Sequence, residues 1–510
     1  MTTHSKVQDF LTPSRVRSIR RGLEKESLRV LQTGALVTSP HPLGLGSTLT
    51  HPHITTDFSE SQLELITGVH ADAQSCQDEL EHIQQVTMHA LGEEMLWVSS
   101  MPCLLPQDDA IPLGQYGNSN QGRIKTVYRM GLGHRYGRRM QTISGIHYNW
   151  SLPDLTNEAY FGLIRNFRRH AFLLLYLFGA SPAVCSCFVE DRPHPLQKLS
   201  QDTLYLPYAT SMRMGRLGYQ SDAQASLAVS YNSLGDYANA LQNALTQPYP
   251  AYAAIGVRAP DGSYRQLSTS LLQIENEFYG TIRPKRVLRP NERPLHALRE
   301  RGVEYVEVRL MDLDPFEPVG ISSQTMRFLD VFLLHCLLSD SPLDTPEENA
   351  ALARNQHRTA ECGREPGLQL ERGTGSSALC DWGLELVDQL MPIAQQLDAV
   401  APDTGYGLAV QSAQRALQNP DTLPSARILE AIRSNFDNSF AAFATAQSLA
   451  TKKATLDQPL LPDVQAHFQV LAQASLEQQR KIEAAESPTF DEYLQTYLAP
   501  ASLLPETISL

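Results

Sequence analysis

The stretch ISGIHYNWSL, residues 143–152, decides the fold class. Ile146, Tyr148, Trp150 and Leu152 alternate with His147, Asn149 and Ser151, the two-residue period of a strand with one face in a core and the other wet. Residues 304–310 (EYVEVRL) repeat the pattern, with Val306, Val308 and Leu310 against Tyr305, Glu307 and Arg309. Residues 22–30 (GLEKESLRV) and 271–279 (LLQIENEFY) read as further strands, less cleanly alternating. Apolar helical stretches such as 327–338 (RFLDVFLLHCLL) suit the covering of the apolar strand faces. Strands and helices mix in this way without a regular βαβ repeat, which predicts an α+β fold.

Outward from these strands, the glycine-rich segment 363–377 (GREPGLQLERGTGSS) is the best boundary candidate. Beyond it the composition turns to Ala, Gln and Leu, interrupted at Pro402-Asp403, Pro420-Asp421, Pro462-Asp463 and Ser487-Pro488. Four or five helices and no strands are expected there. The expected division is a catalytic α+β core over 14–380 and a helical region over 381–510 packed on it. There is no solenoid repeat and no low-complexity run.

The chain has 510 residues, with Lys+Arg 42 against Asp+Glu 55 and a net charge of -13. That balance argues against a general nucleic-acid binder, which needs a basic surface to displace counterions. Hydrophobic residues at 42% and charged residues at 19% exclude wholesale disorder. The seven cysteines include no CxxC pair; Cys185 and Cys187, one residue apart, suit neither a zinc knuckle nor a thioredoxin-like dithiol. Reduced thiols are the default. The uncharged stretch 171–188 (AFLLLYLFGASPAVCSCF) is broken at Gly179 to Pro182, so a buried helix ending at Gly179 is expected in preference to a membrane span. The N-terminal residues lack an apolar signal core, and the expectation is a soluble, cytoplasmic protein.

Several charged residues stand where chemistry could use them. Glu24 and Glu26 project from one face of their strand, and such a pair resists joint desolvation unless a cation neutralises it. Alone, the pair reads more readily as two solvated glutamates, with Lys25 and Arg29 nearby. His147 and the Glu307/Arg309 pair lie on the polar faces of strands whose other faces are apolar; Glu and Arg at i and i+2 can serve a metal ion and a phosphate oxygen, or merely each other. Glu64 projects opposite Leu63 and Leu65. In 115–132 (QYGNSNQGRIKTVYRMGL) a Gly/Asn loop precedes a helix bearing Lys125, Tyr128 and Arg129. No Walker or Rossmann fingerprint occurs, so a bound nucleotide would be gripped through metal-bearing carboxylates and scattered basic side chains.

Together with RGLEKESLRV (21–30), LTHPHITTDFSESQLELIT (49–67), RRMQTISGIHYNWSLP (138–153), YLFGASPA (176–183), YLPYATSMRM (205–214), LQIENEFYGTIRPKR (272–286) and GVEYVEVRLMDLDPF (302–316), the 115–132 block resembles the proteobacterial glutamate–cysteine ligase family. The likeness runs in order from about residue 14 to about 345, is weaker in 350–380 and beyond, and has PSARIL (424–429) as its clearest later anchor. It implies the glutamine synthetase-like ligase superfamily, with a curved antiparallel sheet forming a funnel-shaped site and helices outside. It implies ATP-dependent joining of the glutamate γ-carboxylate to the cysteine amine through a γ-glutamyl phosphate, the first step of glutathione biosynthesis.

The resemblance assigns Glu24, Glu26, Glu64, His147 and Glu307 as Mg²⁺ ligands, with Mn²⁺ able to substitute, and Arg309 to the transferred phosphate. Arg309, Glu26 and Glu307 are thereby the expected catalytic residues. Arg213 matches the arginine that pairs with the glutamate α-carboxylate, and Phe58, Tyr128, Leu132, Gln141, Tyr219 and Tyr279 match the cysteine pocket. Glu60 and Asp57 are candidates for the base that frees the amine. The expected partners are glutamate, cysteine and ATP, with no nucleic acid and no membrane; a monomer is favoured, and inhibition by glutathione is in keeping with the family.

Overall fold

The computed structural model describes residues 3–190, 192–218, 222–225, 227, 229–485 and 487–505. Its centre is an open antiparallel sheet of β1 (Arg20–Val30), β2 (Ile54–Thr56), β3 (Gln62–Ile66), β4 (Met95–Leu96), β5 (Ile146–Ser151), β6 (Ile282–Lys285) and β7 (Tyr305–Met311). The spatial order is β2-β3-β1-β5-β7-β6, with β4 paired to the end of β1. Leu23 stands opposite Tyr148 and Val306 opposite Trp150, so the apolar residues of three strands share one face. Glu26 stands opposite Glu64, Glu24 opposite His147, and Glu307 opposite both Asn149 and Arg283. The expected strand faces therefore align across the whole sheet.

The apolar face is covered by the helices Ala73–Leu91, Asn157–Phe178 and Ser323–Leu338, in one continuous core. The second begins on Thr156, whose side chain accepts the Ala159 N–H, and ends at Gly179, whose N–H reaches the Leu175 carbonyl. This is the expected buried helix, and among the described residues no helix is long and apolar enough to cross a membrane. Charge also enters this face. Arg21 and Asp330 form a buried ion pair at 2.8 Å, and the Tyr148 hydroxyl donates to the same carboxylate at 2.8 Å. Lys25, also buried, donates to the Gln84 side-chain carbonyl.

Two expectations need correction. Residues 271–279 are not a strand; they form turns around a short 3-10 helix, Glu275–Glu277. Their polar positions alternate because Glu275 pairs with Arg293 at 2.7 Å and Glu277 with Arg135 at 2.9 Å, not because a sheet face meets water. The strand lies just beyond, in β6, where Pro284 is tolerated because β6 is the sheet edge. The segment 363–377, expected as a loop, contains part of a hairpin, Gln369–Arg372 against Gly375–Ala378.

Past that hairpin the described residues hold six α-helices, Leu379–Val400, Tyr406–Gln418, Pro424–Asn435, Phe440–Asp457, Pro462–Ala484 and Phe490–Leu498, and no strand. The break not expected is at Asp437 and Asn438, whose φ angles of 48° and 64° are left-handed, a conformation these two residue types accept. The last helices grip early loops. Ser475 Oγ accepts the Ser47 N–H at 2.9 Å, Thr50 Oγ1 donates to the Ser475 carbonyl at 2.6 Å, and Glu483 accepts the Asn118 N–H at 2.8 Å.

Candidate active site

The open face of the sheet gathers the charged residues that alternation had placed there. Glu26, His147 and Glu307 are 2%, 4% and 1% exposed, so three ionisable groups stand on a polar surface that water barely reaches. His147 Nδ1 lies 2.9 Å from Glu24 Oε2, and its Nε2, buried without a hydrogen bond, faces Glu26 Oε1 at 3.4 Å. The Asn149 amide donates to Glu24 Oε1 at 2.9 Å, and the Gly145 N–H to Glu26 Oε2 at 2.8 Å. Arg309 Nη1 meets Glu307 Oε2 at 3.0 Å, Lys285 Nζ meets Glu307 Oε1 at 3.1 Å, and Arg283 stands 3.8 Å from Glu307.

The electrostatics divide this face. Burial raises the Glu64 carboxyl well above the usual carboxylate range, and Glu24, Asp57 and Glu26 push it further. Burial likewise raises Glu26, with Asp57 adding to the effect and His147, Arg213 and Arg309 opposing it. At Glu307 burial acts in the same direction, but Lys285, Arg309, His147 and Arg283 outweigh it and hold the group well below the usual range. For Arg309, burial disfavours the charge, yet Glu307, Glu26 and Glu24 keep it firmly cationic. At Glu24 burial also disfavours the charge, but the His147 hydrogen bond overcomes it and holds the group below the usual range, so Glu26 and Glu64 are the carboxylates left short of a cation.

That shortage fits a metal ion. Glu24, Glu64 and His147 each offer a donor atom, all within 4.8 Å of one another, and His147 Nε2 lacks a hydrogen bond. Carboxylate oxygens are hard donors suited to Mg²⁺. A second such group joins Glu292, in the turn before the helix Pro294–Arg301, to His296 and Glu300 on it, and Arg301 already pairs with Glu292 at 2.6 Å.

The remaining predicted residues surround this face. Arg213 Nη2 donates to the Arg309 carbonyl at 2.9 Å, with Asp312 at 3.9 Å from Nη1. Its approach requires Gly145, where a Cβ would stand 2.2 Å from the guanidinium. Phe58 and Leu132 are buried in one apolar cluster, with Tyr128 and Tyr279 packed against it. The Gln141 amide donates to the Tyr279 hydroxyl at 3.0 Å. Tyr219 lies outside the described residues. Asp57 acts electrostatically on Glu26, Glu64 and Tyr279 and so faces the site. Glu60 does not, because its two oxygens accept the His41 and Gln115 N–H groups at 2.9 and 2.8 Å. Reasoning from sequence missed Arg283 and Lys285, which β6 places beside Glu307; the alternation of Ile282 and Arg283 was the available signal.

The family model for glutamate–cysteine ligase matches residues 6–359. The chain belongs to the glutamate–cysteine ligase family. It is 47% identical over 496 residues to the glutamate–cysteine ligase of Janthinobacterium sp. (strain Marseille), covering 94% of each chain. The enzyme of Alcanivorax borkumensis is 45% identical, over 94% of this chain and 95% of its own. Among solved structures, the glutamate–cysteine ligase of Francisella tularensis in complex with AMP superposes with a TM-score of 0.90 at 36% identity, covering 94% of this chain and 97% of that one. A bifunctional glutathione synthetase from Pasteurella multocida matches at 0.71 and 27%, covering 92% of this chain and 58% of its own. The protein is an ATP-dependent ligase that joins glutamate to cysteine, the first step of glutathione synthesis.

Proposed function

We propose that the carboxylate-rich face is where this ligase binds Mg²⁺ and the ATP phosphates, and where γ-glutamyl phosphate is made and consumed. One observation carries the reading: the donor atoms of Glu24, Glu64 and His147 lie within 4.8 Å of one another. Glu26 and Glu307 complete the ligand set, His147 stands between Glu24 and Glu26, and Arg309 joins Glu307. Bound there, Mg²⁺ supplies positive charge against the phosphate oxygens, and Mn²⁺, which takes imidazole more readily, can replace it.

The protein's own groups do the rest. A carboxylate does not condense with an amine in water, so the glutamate γ-carboxylate is first phosphorylated. Nucleophile and ATP are both anions; Arg309, fixed by Glu307, aims a permanent charge at the transferring phosphoryl group and offsets the repulsion. Arg213 holds the glutamate α-carboxylate. The cysteine side chain rests among Phe58, Tyr128, Leu132, Gln141 and Tyr279, while Asp57 accepts a proton from its amine. The neutral amine then attacks the acyl phosphate and expels phosphate. A pocket of this kind discriminates one methylene by only about 1–3 kcal/mol, so slow use of other small amino acids is expected.

The same reading includes a funnel-shaped site in a glutamine synthetase-like fold, a catalytic core over 14–380, a packed helical region over 381–510, and a soluble, cytoplasmic monomer inhibited by glutathione. The chemistry is tested by following ADP release with glutamate, cysteine and Mg²⁺, then trapping the acyl phosphate with hydroxylamine in the absence of cysteine. Glutamyl hydroxamate should form only with ATP and glutamate present. ADP release at an undiminished rate without glutamate would refute the order of steps.

A further inference from the structure

The edge strand β6 adds two cations to the open face of the sheet. Arg283 stands opposite Glu307 and Lys285 opposite Tyr305, and residues paired across two strands project to the same side. The two cations are held differently. Arg283 donates to the Asn276 and Phe278 carbonyls, lies 3.8 Å from Glu307, and has a side chain only 5% exposed. Lys285 has Glu307 Oε1, at 3.1 Å, as its one hydrogen-bond partner among the described residues, and its side chain is 25% exposed. An ammonium carries three donors, so Lys285 has capacity left for a ligand, whereas the Arg283 guanidinium is tied to backbone.

Lys285 and Arg309 flank a single carboxylate. Lys285 takes Glu307 Oε1, and Arg309 takes Oε2 at 3.0 Å. Arg309 also approaches His147 Nδ1 at 3.4 Å, which puts it on the metal side of Glu307. Lys285 lies on the other side, in the row of Tyr305, two residues before Glu307 on β7. A linear triphosphate whose transferred end lies at Arg309 therefore has its next phosphoryl group beside Lys285. Lysine serves phosphate as a point charge on a flexible stem, which suits a position at the rim of a sheet.

We propose that Lys285 is a further catalytic residue of the ligase, whose ammonium contacts the β-phosphate of ATP and stabilises the charge that collects there as the γ-phosphoryl group leaves. The inference rests on the reading of the open face as the ATP and Mg²⁺ site. In that step an oxygen of the glutamate γ-carboxylate forms a bond to the γ-phosphorus. The bond from that phosphorus to the β–γ bridging oxygen breaks, and its electron pair departs with ADP; no proton moves. The β-phosphate gains negative charge as this happens, and a cation already fixed beside it acts more strongly than one in water. Glu307, by holding both cations, sets the spacing between the groups that serve the γ and β positions.

The test compares nucleotides that differ at the β position, with glutamate, cysteine and Mg²⁺ saturating. Lys285→Gln should lower kcat by about 10²-fold and raise the inhibition constant of ADP against ATP about tenfold, while that of AMP, which lacks the β-phosphate, stays within about twofold. Lys285→Arg, which keeps the charge, should recover most of the ADP affinity. Arg286→Gln, at a neighbouring cation that pairs with Glu304 at 3.3 Å, should alter neither constant. An unchanged ADP constant in Lys285→Gln would overturn the assignment. Equal weakening of ADP and AMP would also overturn it, by marking Lys285 as a counter-ion of Glu307 alone. Lys285→Met, of similar length and uncharged, gives the same comparison if Lys285→Gln does not fold. Glu26→Gln run in parallel separates the two readings: normal turnover there removes the open face from catalysis, whereas an inactive Glu26→Gln beside an unaffected Lys285→Gln overturns the lysine alone.

Discussion

The two faces of one sheet make opposite use of charge. On the covered face Arg21 and Asp330 are closed on each other, with Tyr148 donating to the pair. On the open face Glu307 is likewise matched by Lys285 and Arg309, but Glu24 and Glu26 share one imidazole and both press on Glu64, which burial already raises. A matched buried pair holds structure. An unmatched cluster is a standing demand for a cation that the chain does not itself contain, and that demand is useful only on the side that substrates reach.

The sharpest way to break the comparison is Glu26→Gln, which should lower the rate of ADP release by roughly 10³-fold while leaving the thermal midpoint unchanged or higher. Near-normal turnover would remove Glu26 from the machinery. Asp330→Ala should do the reverse, costing about 3–5 kcal/mol in denaturant titration by stranding Arg21 while turnover per folded molecule persists. Gly145→Ala, which pushes the Arg213 guanidinium away, should raise the glutamate KM by about tenfold with little change in the ATP KM, the loss of roughly one charge-assisted hydrogen bond. Gln141→Leu should raise the cysteine KM severalfold, about 1 kcal/mol, and a larger effect on glutamate would misplace the pocket.

The smallest effect concerns pH in chelator-treated protein. Because the Glu64 carboxyl is raised in the folded state, the folded protein holds its proton longer than the unfolded chain does. Stability is therefore lost as pH rises from the ordinary carboxylate range toward the raised folded value. Glu64→Gln should accordingly be the more stable protein at pH 8 without metal, but not at pH 4, and Mg²⁺ should stabilise it less than it stabilises the unaltered chain. Equal stabilisation of both by Mg²⁺ would exclude Glu64 as a ligand.

How much of this was legible depends on what each polar residue faces. In β5 and β7 alternation reports a true division between an apolar and a charged face, so His147, Glu307 and Arg309 could be placed from their neighbours alone. In β1 the pattern blurs because Arg21 and Lys25 carry charge onto the covered face, and nothing local reveals that Asp330 and Gln84 await them. In 271–279 the same period misled, since Glu275 and Glu277 answer to distant arginines. Alternation records burial; partners far along the chain are the part it omits.

The grip of Ser475 and Glu483 on the loops at Ser47, Thr50 and Asn118 bears on how the enzyme is born. β1 leaves the ribosome early, yet its sheet neighbour in order, β5, draws on β7 at Tyr305–Met311, and the loops beside the site are not fastened until the final helices emerge. At about 5–20 residues per second, the roughly 200 residues after β7 take about 10–40 seconds to synthesise. During that interval a carboxylate-lined sheet waits unfinished. A chain cut before Pro462 should therefore lack these fastenings and show lower ADP release than the full chain, because the helix Pro462–Ala484 that holds the loops is then missing.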